Sequence, residues 1–116
     1  MQNTEQEKSA NYHLVDMIKY EAGSVVTKFI IRKKTGSISI SSFDAGEVLP
    51  IRASPFDHMI QILDGEAEIV MDEKSSMLGT GQIVVVPAHI WHSMKAKKPF
   101  KMLSIIIKSG YEDVSL

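Results

Sequence analysis

Four side chains between residues 52 and 92 could bind a ligand or a metal ion. They are Arg52, His58, His89 and His92, and the 116 residues contain no cysteine. Neutral imidazoles are good ligands for zinc, nickel, copper or iron and poor ones for magnesium or calcium. A guanidinium cannot bind a metal, and its permanent charge attracts carboxylates and phosphates. The same residues therefore support two chemistries, metal binding and anion binding.

Glycines and a proline surround these residues at regular spacing, in two blocks. The blocks consist of Gly46, Arg52, Ser54, His58 and Gly65, and of Gly81, Pro87, His89, His92 and Ala96. The arrangement resembles the two motifs of the cupin family. The resemblance covers about residues 43–108 and implies an all-β fold, the double-stranded β-helix or jelly-roll barrel.

The residues that bind metal in cupins are mostly replaced in this chain. Arg52 and Ser54 stand where the first motif has two histidines, and His58 stands where it has a glutamate. The second motif keeps its histidine as His92, while His89 replaces a glycine. By the resemblance, His58 and His92 face each other inside the barrel. They could hold one transition-metal ion, such as zinc, nickel or iron, with His89 or water completing the shell.

The replaced residues also predict a ligand pocket with a reduced or absent metal site. The expected pocket residues are Arg52, Ser54, His58 and His92. An arginine that faces the cavity would repel a cation and bind a small organic anion instead.

Each candidate also has a purely structural interpretation. His92 could be buried and hydrogen-bonded to a backbone group, without a ligand. Arg52 could turn to solvent or pair with Asp57 or Glu47, since long arginine side chains commonly extend into water. His89 could form a turn and face solvent, because the family has a glycine there, which suggests a turn conformation that histidine tolerates at some cost.

Alternating segments separated by turns should position these residues. Strands are predicted at residues 25–31, 37–43, 47–53, 58–63, 66–71, 82–86, 91–96 and 100–107, with a brief strand starting at residue 77. Leu14, Met17 and Ile18 lie at helical spacing after the possible cap Asn11, which predicts a short helix within residues 11–20. We therefore divide the chain into an N-terminal segment with a short helix, residues 1–22, and a cupin barrel, residues 23–116.

Composition limits the classes of partner. Thirteen Lys and Arg residues against fourteen Asp and Glu residues give a net charge of −1, with no basic stripe that could follow a nucleic acid. The polar N-terminus has no signal-peptide core, and no apolar run is long enough to cross a membrane. We expect a cytoplasmic protein that binds a small molecule, with neither nucleic acid nor membrane as a partner.

Two functions remain open at this point, with a purely structural or interaction domain as a third class. The first is a small-molecule-binding cupin, such as a sensor or carrier, that binds a small organic anion. The second is a metal-dependent enzyme of the dioxygenase, isomerase or lyase type acting on a small organic acid. We predict a homodimer, because an open barrel leaves strand edges to be covered and because small cupins usually associate.

Overall fold

Nine β-strands and one helical turn form the regular structure of residues 5–110, the part of the chain that the computed structural model describes. The strands are β1 Val25–Lys33, β2 Gly36–Phe43, β3 Val48–Arg52, β4 Asp57–Asp64, β5 Glu66–Met71, β6 Lys74–Gly79, β7 Ile83–Val86, β8 His92–Lys95 and β9 Phe100–Ile107. The helical turn is a 3-10 turn at Leu14–Asp16.

The strands form two antiparallel sheets that enclose one core. The five-stranded sheet has the order β1-β2-β9-β4-β7, and the four-stranded sheet has the order β3-β8-β5-β6. Apolar side chains from both sheets pack together, including Ile60 and Phe43 from the first and Ile69 and Met94 from the second. This is the all-β jelly-roll architecture that the sequence predicts.

The end of the barrel at the β4–β5 turn is closed by aromatic packing and by a glycine. The rings of Phe43 and Phe100 are stacked with centroids 4.5 Å apart. Gly65 adopts a left-handed conformation, with φ of 80°, directly against Phe100. A Cβ at this position would collide with the Pro99 carbonyl oxygen. The motif glycine is thus required both for the turn and for a close backbone approach.

A β-bulge changes the face on which the end of β1 presents its side chains. Phe29 pairs with Ser39, but the next pair is Ile31 with Ile38, so β1 contains one extra residue. Inserting one residue reverses the alternation of the strand. Arg32, which pairs with Ser37, consequently lies on the same inner face as Phe29.

Residues 15–19 cover part of the outer face of the five-stranded sheet. Ile18 is buried, and the Lys19 carbonyl accepts a hydrogen bond of 2.8 Å from the Ser42 hydroxyl. The Val15 carbonyl accepts one of 2.6 Å from the Lys101 ammonium. These carbonyls bond to the sheet and not to a following helical turn. The helix is therefore limited to Leu14–Asp16, which is shorter than the spacing of apolar residues predicts.

Most predicted strands agree with the structure within a few residues, and the largest difference is at β6. The sequence predicts a turn over residues 72–76, whereas β6 begins at Lys74. Asp72 and Glu73 both have positive φ, 52° and 66°, which makes a tight two-residue hairpin turn. The predicted N-terminal segment, residues 1–22, and the predicted barrel, residues 23–116, each extend beyond the described part of the chain. Residues 1–4 of the first and 111–116 of the second lie outside it. Within residues 5–110, no helix is long and apolar enough to cross a membrane.

Candidate functional site

A row of four paired residues runs across the inner face of the five-stranded sheet. His58 pairs with Ile106, Ile106 with Ser37, and Ser37 with Arg32. Neighbouring strands are about 4.8 Å apart, so the Cα atoms at the two ends of the row are separated by about 14 Å or less in a curved sheet. The row places an imidazole at one end and a guanidinium at the other.

The adjacent row adds hydroxyl groups to this wall. Ile60 pairs with Ser104, Ser104 with Ser39, and Ser39 with Phe29. The Ser104 hydroxyl and the Nε2 atom of His58 form a short buried hydrogen bond. His58 is thereby tied to a residue that lines the cavity described below.

The four-stranded sheet brings Arg52 and His92 to the same site. Arg52 in β3 and His92 in β8 are direct antiparallel partners, so their side chains leave the sheet on the same side. The His92 ring lies 6.1 Å from the His58 ring, centroid to centroid, at an angle of 73°. Three predicted pocket residues therefore converge, two from one sheet and one from the other.

Burial and positive charge keep His58 neutral. Only 3% of His58 is exposed, and this burial lowers its pKa to about 4, helped by the charge of Arg52 and by His92. Arg52 is nevertheless solvent-exposed, and within residues 5–110 it forms no ion pair with Asp57, Glu47 or another carboxylate.

His92 presents an unpaired nitrogen in the interior. Its Nδ1–H donates to the Ile90 carbonyl oxygen at 3.2 Å, which fixes the tautomer and leaves a lone pair on Nε2. Nε2 is buried and has no hydrogen-bond partner among the described residues. Such a nitrogen is a potential acceptor or metal ligand, with its ring oriented as metal-binding histidines usually are.

The residues at the site do not fit the metal centre that the family motif provides. One imidazole nitrogen, Nε2 of His58, is already bonded to Ser104, and the Arg52 charge opposes a cation. Residues 5–110 contain no group of three His, Cys, Asp or Glu side chains placed to hold an ion. Two ligands alone make a weak site. Metal binding by His58, His92 and His89 stays a prediction, and no chemical step is derived from it.

A cavity of about 290 Å³ lies between β3 and the inner face of β1, β2 and β9. The positively charged residues on its wall are Arg32, Arg52 and Lys108, and the hydroxyl residues are Thr27, Ser37, Ser39, Ser41 and Ser104. The rest of the wall is apolar, formed by Val25, Phe29, Phe43, Leu49, Met102 and Ile106. Among the described residues, none of those lining it is acidic. A cavity with positive charges, hydroxyl donors and no carboxylate is chemically suited to an anion.

His58 and His92 do not line this cavity themselves. His58 contacts it through Ser104, and His92 lies beside Arg52. Ser54 is also outside the lining: its hydroxyl accepts a hydrogen bond from the Phe56 N–H at 3.2 Å. The structure therefore brings Arg52, His58 and His92 together and leaves Ser54 in the β3–β4 loop.

His89 is placed in a turn, apart from the cavity. It is exposed, has a φ of 69°, and its backbone N–H donates to the Ser54 carbonyl at 2.6 Å. The positive φ explains why a glycine suits this motif position and confirms the turn interpretation. His13 is exposed as well.

Several residues of the cavity wall do not belong to the motifs: Arg32, Lys108, Ser37, Ser39, Ser41 and Ser104. Ser37, Ser39 and Ser41 alternate with Ile38 and Ile40, so they share one face of β2. Alternation alone predicts that the isoleucine face is buried and the serine face is in solvent, so it does not reveal that the serines line a cavity. Arg32 gave no signal, because its inward position depends on the bulge in β1.

Comparisons with known proteins agree with this architecture. The family model for the cupin domain matches residues 39–106. A conserved protein of unknown function from Streptococcus pyogenes is 29% identical and superposes with a TM-score of 0.85, over 91% of this chain and 92% of that one. No curated protein matches the sequence.

Two further solved structures are similar over most of this chain. A cupin 2 conserved barrel domain protein from Leptotrichia buccalis is 33% identical, with a TM-score of 0.80 over 84% of this chain and 47% of that one. A cupin superfamily protein from Desulfitobacterium hafniense is 27% identical, with a TM-score of 0.81 over 90% and 95% of the two chains.

Proposed function

This chain belongs to the cupin domain family, and on that premise we propose that it binds a small organic anion in the cavity next to Arg52. The observation that carries the proposal is the composition of the cavity wall. It holds three positive side chains and, among residues 5–110, no acidic one. A negatively charged ligand would offset charges that the described residues leave without a carboxylate partner inside the cavity.

The position of Arg52 supports its role as the main anion ligand. It lines the cavity and is paired with His92, and it remains accessible from solvent. A guanidinium can hold a carboxylate by two parallel hydrogen bonds. The hydroxyls of Ser37 and Ser39 provide further donors on the wall opposite β3.

The ligand should be small and should not require a metal. At about 290 Å³, the cavity lies at the lower end of the size range of ligand pockets, about 300–1,000 Å³. The cation that attracts the ligand is part of the polypeptide, as Arg52. We propose binding, as in a sensor or carrier, because the described residues do not assemble the donor set for a metal-dependent reaction.

Isothermal titration calorimetry of the purified protein with small monocarboxylates tests this function. The titrations should include a chelator at neutral pH. We expect binding by the wild type and a loss of at least tenfold in affinity for Arg52→Gln. The matched control Lys98→Gln removes an exposed charge that does not line the cavity. Binding that needs added metal, or that is unchanged in Arg52→Gln, would refute the proposal.

A further inference from the structure

A second positive group lies across the cavity from Arg52. Arg32 is at the β1 end of the row that starts at His58, whereas Arg52 lies in β3 of the other sheet, paired with His92. Ser37 and Ile106 are the two residues between Arg32 and His58 in this row. The two guanidinium-bearing residues therefore belong to different sides of one cavity, and both line it.

The position of Arg32 is built into the backbone. The bulge between Phe29 and Ile31 turns this residue from the outer to the inner face of β1. Its guanidinium carbon then lies over the Phe29 ring, 4.3 Å from the centroid. A cation held over an aromatic ring has a restricted position, so less freedom is lost when it binds a ligand.

The nearby carboxylate of Glu5 is engaged with other groups. It accepts a hydrogen bond of 2.7 Å from the backbone N–H of Arg32, and it pairs with Lys33 at 3.5 Å. Lys33 lies outside the cavity wall, whereas Arg32 lines it. The two neighbouring basic residues therefore have different surroundings: the Lys33 side chain pairs with Glu5, and the Arg32 side chain lines the cavity.

Lys108 adds a third charge on the Arg32 side. It follows the end of β9, and its backbone N–H donates to the Thr35 carbonyl at 2.7 Å, which anchors it beside the β1–β2 hairpin. This places Lys108 next to the pairs Ser37–Ile106 and Gly36–Ile107. A single carboxylate at Arg52 would leave the charges of Arg32 and Lys108 without an acidic partner on the described cavity wall.

We propose that the ligand carries two anionic groups, one bound at Arg52 and the other at Arg32 and Lys108. The inference rests on the proposed function, because it assigns both groups to the same cavity. The hydroxyl and apolar residues between the two positive regions would contact a short, partly apolar linker. The class is that of small dicarboxylates and phosphorylated carboxylic acids.

A matched series of acids tests the number of anionic groups. The intact protein is titrated calorimetrically, with a chelator present, against linear dicarboxylates from malonate to adipate. Each is compared with the monocarboxylate of the same carbon number. At least one dicarboxylate should bind ten times more tightly than its partner, because it contacts both positive regions.

Variants at Arg32 and Lys33 test which of the two residues causes the tighter binding of a dicarboxylate. Arg32→Gln should abolish the advantage of the dicarboxylate over the monocarboxylate of the same carbon number. Arg32→Lys should restore part of the advantage, which separates loss of charge from misfolding. Lys33→Gln is the control and should change neither affinity, since Lys33 does not line this cavity.

The outcomes separate this inference from the proposed function. If monocarboxylates bind in an Arg52-dependent way, and neither the second carboxylate nor Arg32→Gln has an effect, the two-anion inference is wrong and anion binding stands. If none of the acids binds, both are wrong. A dicarboxylate advantage that survives Arg32→Gln would also overturn the assignment of the second group.

Discussion

Arg52 and His92 are directly paired residues on adjacent antiparallel strands of the four-stranded sheet. This pairing puts a permanent positive charge beside a buried imidazole whose Nε2 atom has no partner among the described residues. In the family motif the position of Arg52 belongs to a metal-binding histidine. The substitution therefore exchanges a neutral ligand for a fixed cation at the centre of the site, and it favours an anion there over a metal.

Stability should fall as the pH is lowered through the titration of His58. Its folded-state pKa, about 4, is below the ordinary value of 6.5, so the unfolded chain binds the proton more readily. The contribution of neutral, buried His58 to the free energy of unfolding is fully present above pH 6.5 and is lost as the pH falls toward 4. At about 1.4 kcal/mol per pKa unit it amounts to about 3 kcal/mol at most.

Urea denaturation of the wild type and of His58→Gln between pH 4 and pH 7.5 checks this dependence. The variant should lose stability less steeply below pH 6.5. His13→Gln, a change at an exposed histidine, should behave like the wild type. Parallel curves for all three proteins would show that the His58 pKa is not lowered on folding.

The hydrogen bond between Ser104 and His58 should contribute measurably to stability. Ser104→Ala leaves the Nε2 atom of His58 buried without this partner, at a cost of about 1–3 kcal/mol. Ser75→Ala removes an exposed hydrogen bond to Glu68 and should change stability by less than about 0.5 kcal/mol. Equal melting temperatures for Ser104→Ala and Ser75→Ala would contradict a structural role for the buried bond.

The sequence predicts the barrel and the approach of two histidines, but it does not predict the positive wall of the cavity. Gly46, Gly65 and Gly81 have positive φ, so they mark turns in which other residues would be strained. The resemblance to the cupin motifs, which this spacing carries, implies the barrel. Convergence of His58 and His92 followed from the same register. These features are local or depend on motif spacing, which is why the sequence reveals them.

The positive wall of the cavity depended on features that the sequence hides. A one-residue bulge decides the direction of Arg32, and no residue type marks it. The bond between His58 and Ser104 joins residues 46 positions apart through the pairing of β4 with β9. Periodicity identifies the faces of a strand, but it does not say which side chains meet across a sheet.

Replacing Arg52 by histidine should raise the affinity for a transition metal. The change supplies a third imidazole and removes a charge that disfavours a cation by a few kcal/mol at an effective dielectric of about 20. We expect zinc or nickel to bind at least ten times more tightly in calorimetric titrations. Arg52→Gln, which removes only the charge, should show a smaller gain. Equal affinity in all three proteins would mean that Arg52 does not influence the site of the two histidines.

The homodimer predicted from the sequence has a candidate surface at the edge of the four-stranded sheet. Val48 and Ile51 of the edge strand β3 are 49% and 66% exposed, and Trp91, next to β8, is 59% exposed. Burial of such residues would cover the open edge. Sedimentation equilibrium at micromolar concentration should give twice the chain mass, and Ile51→Asp should give a monomer. A wild-type monomer would refute the dimer.

The central claim, that an anion binds next to Arg52, is tested most directly by the pKa of His58 in the presence of a ligand. NMR titration of the imidazole follows this pKa without ligand and with the acid that binds most tightly in the calorimetric series. A negative group at Arg52 offsets part of the charge that lowers the pKa of His58, and it favours the protonated ring. The pKa should therefore rise above its value of about 4, and the rise should be much smaller in Arg52→Gln. A pKa that stays the same while the ligand is bound would place the anion elsewhere and contradict the account.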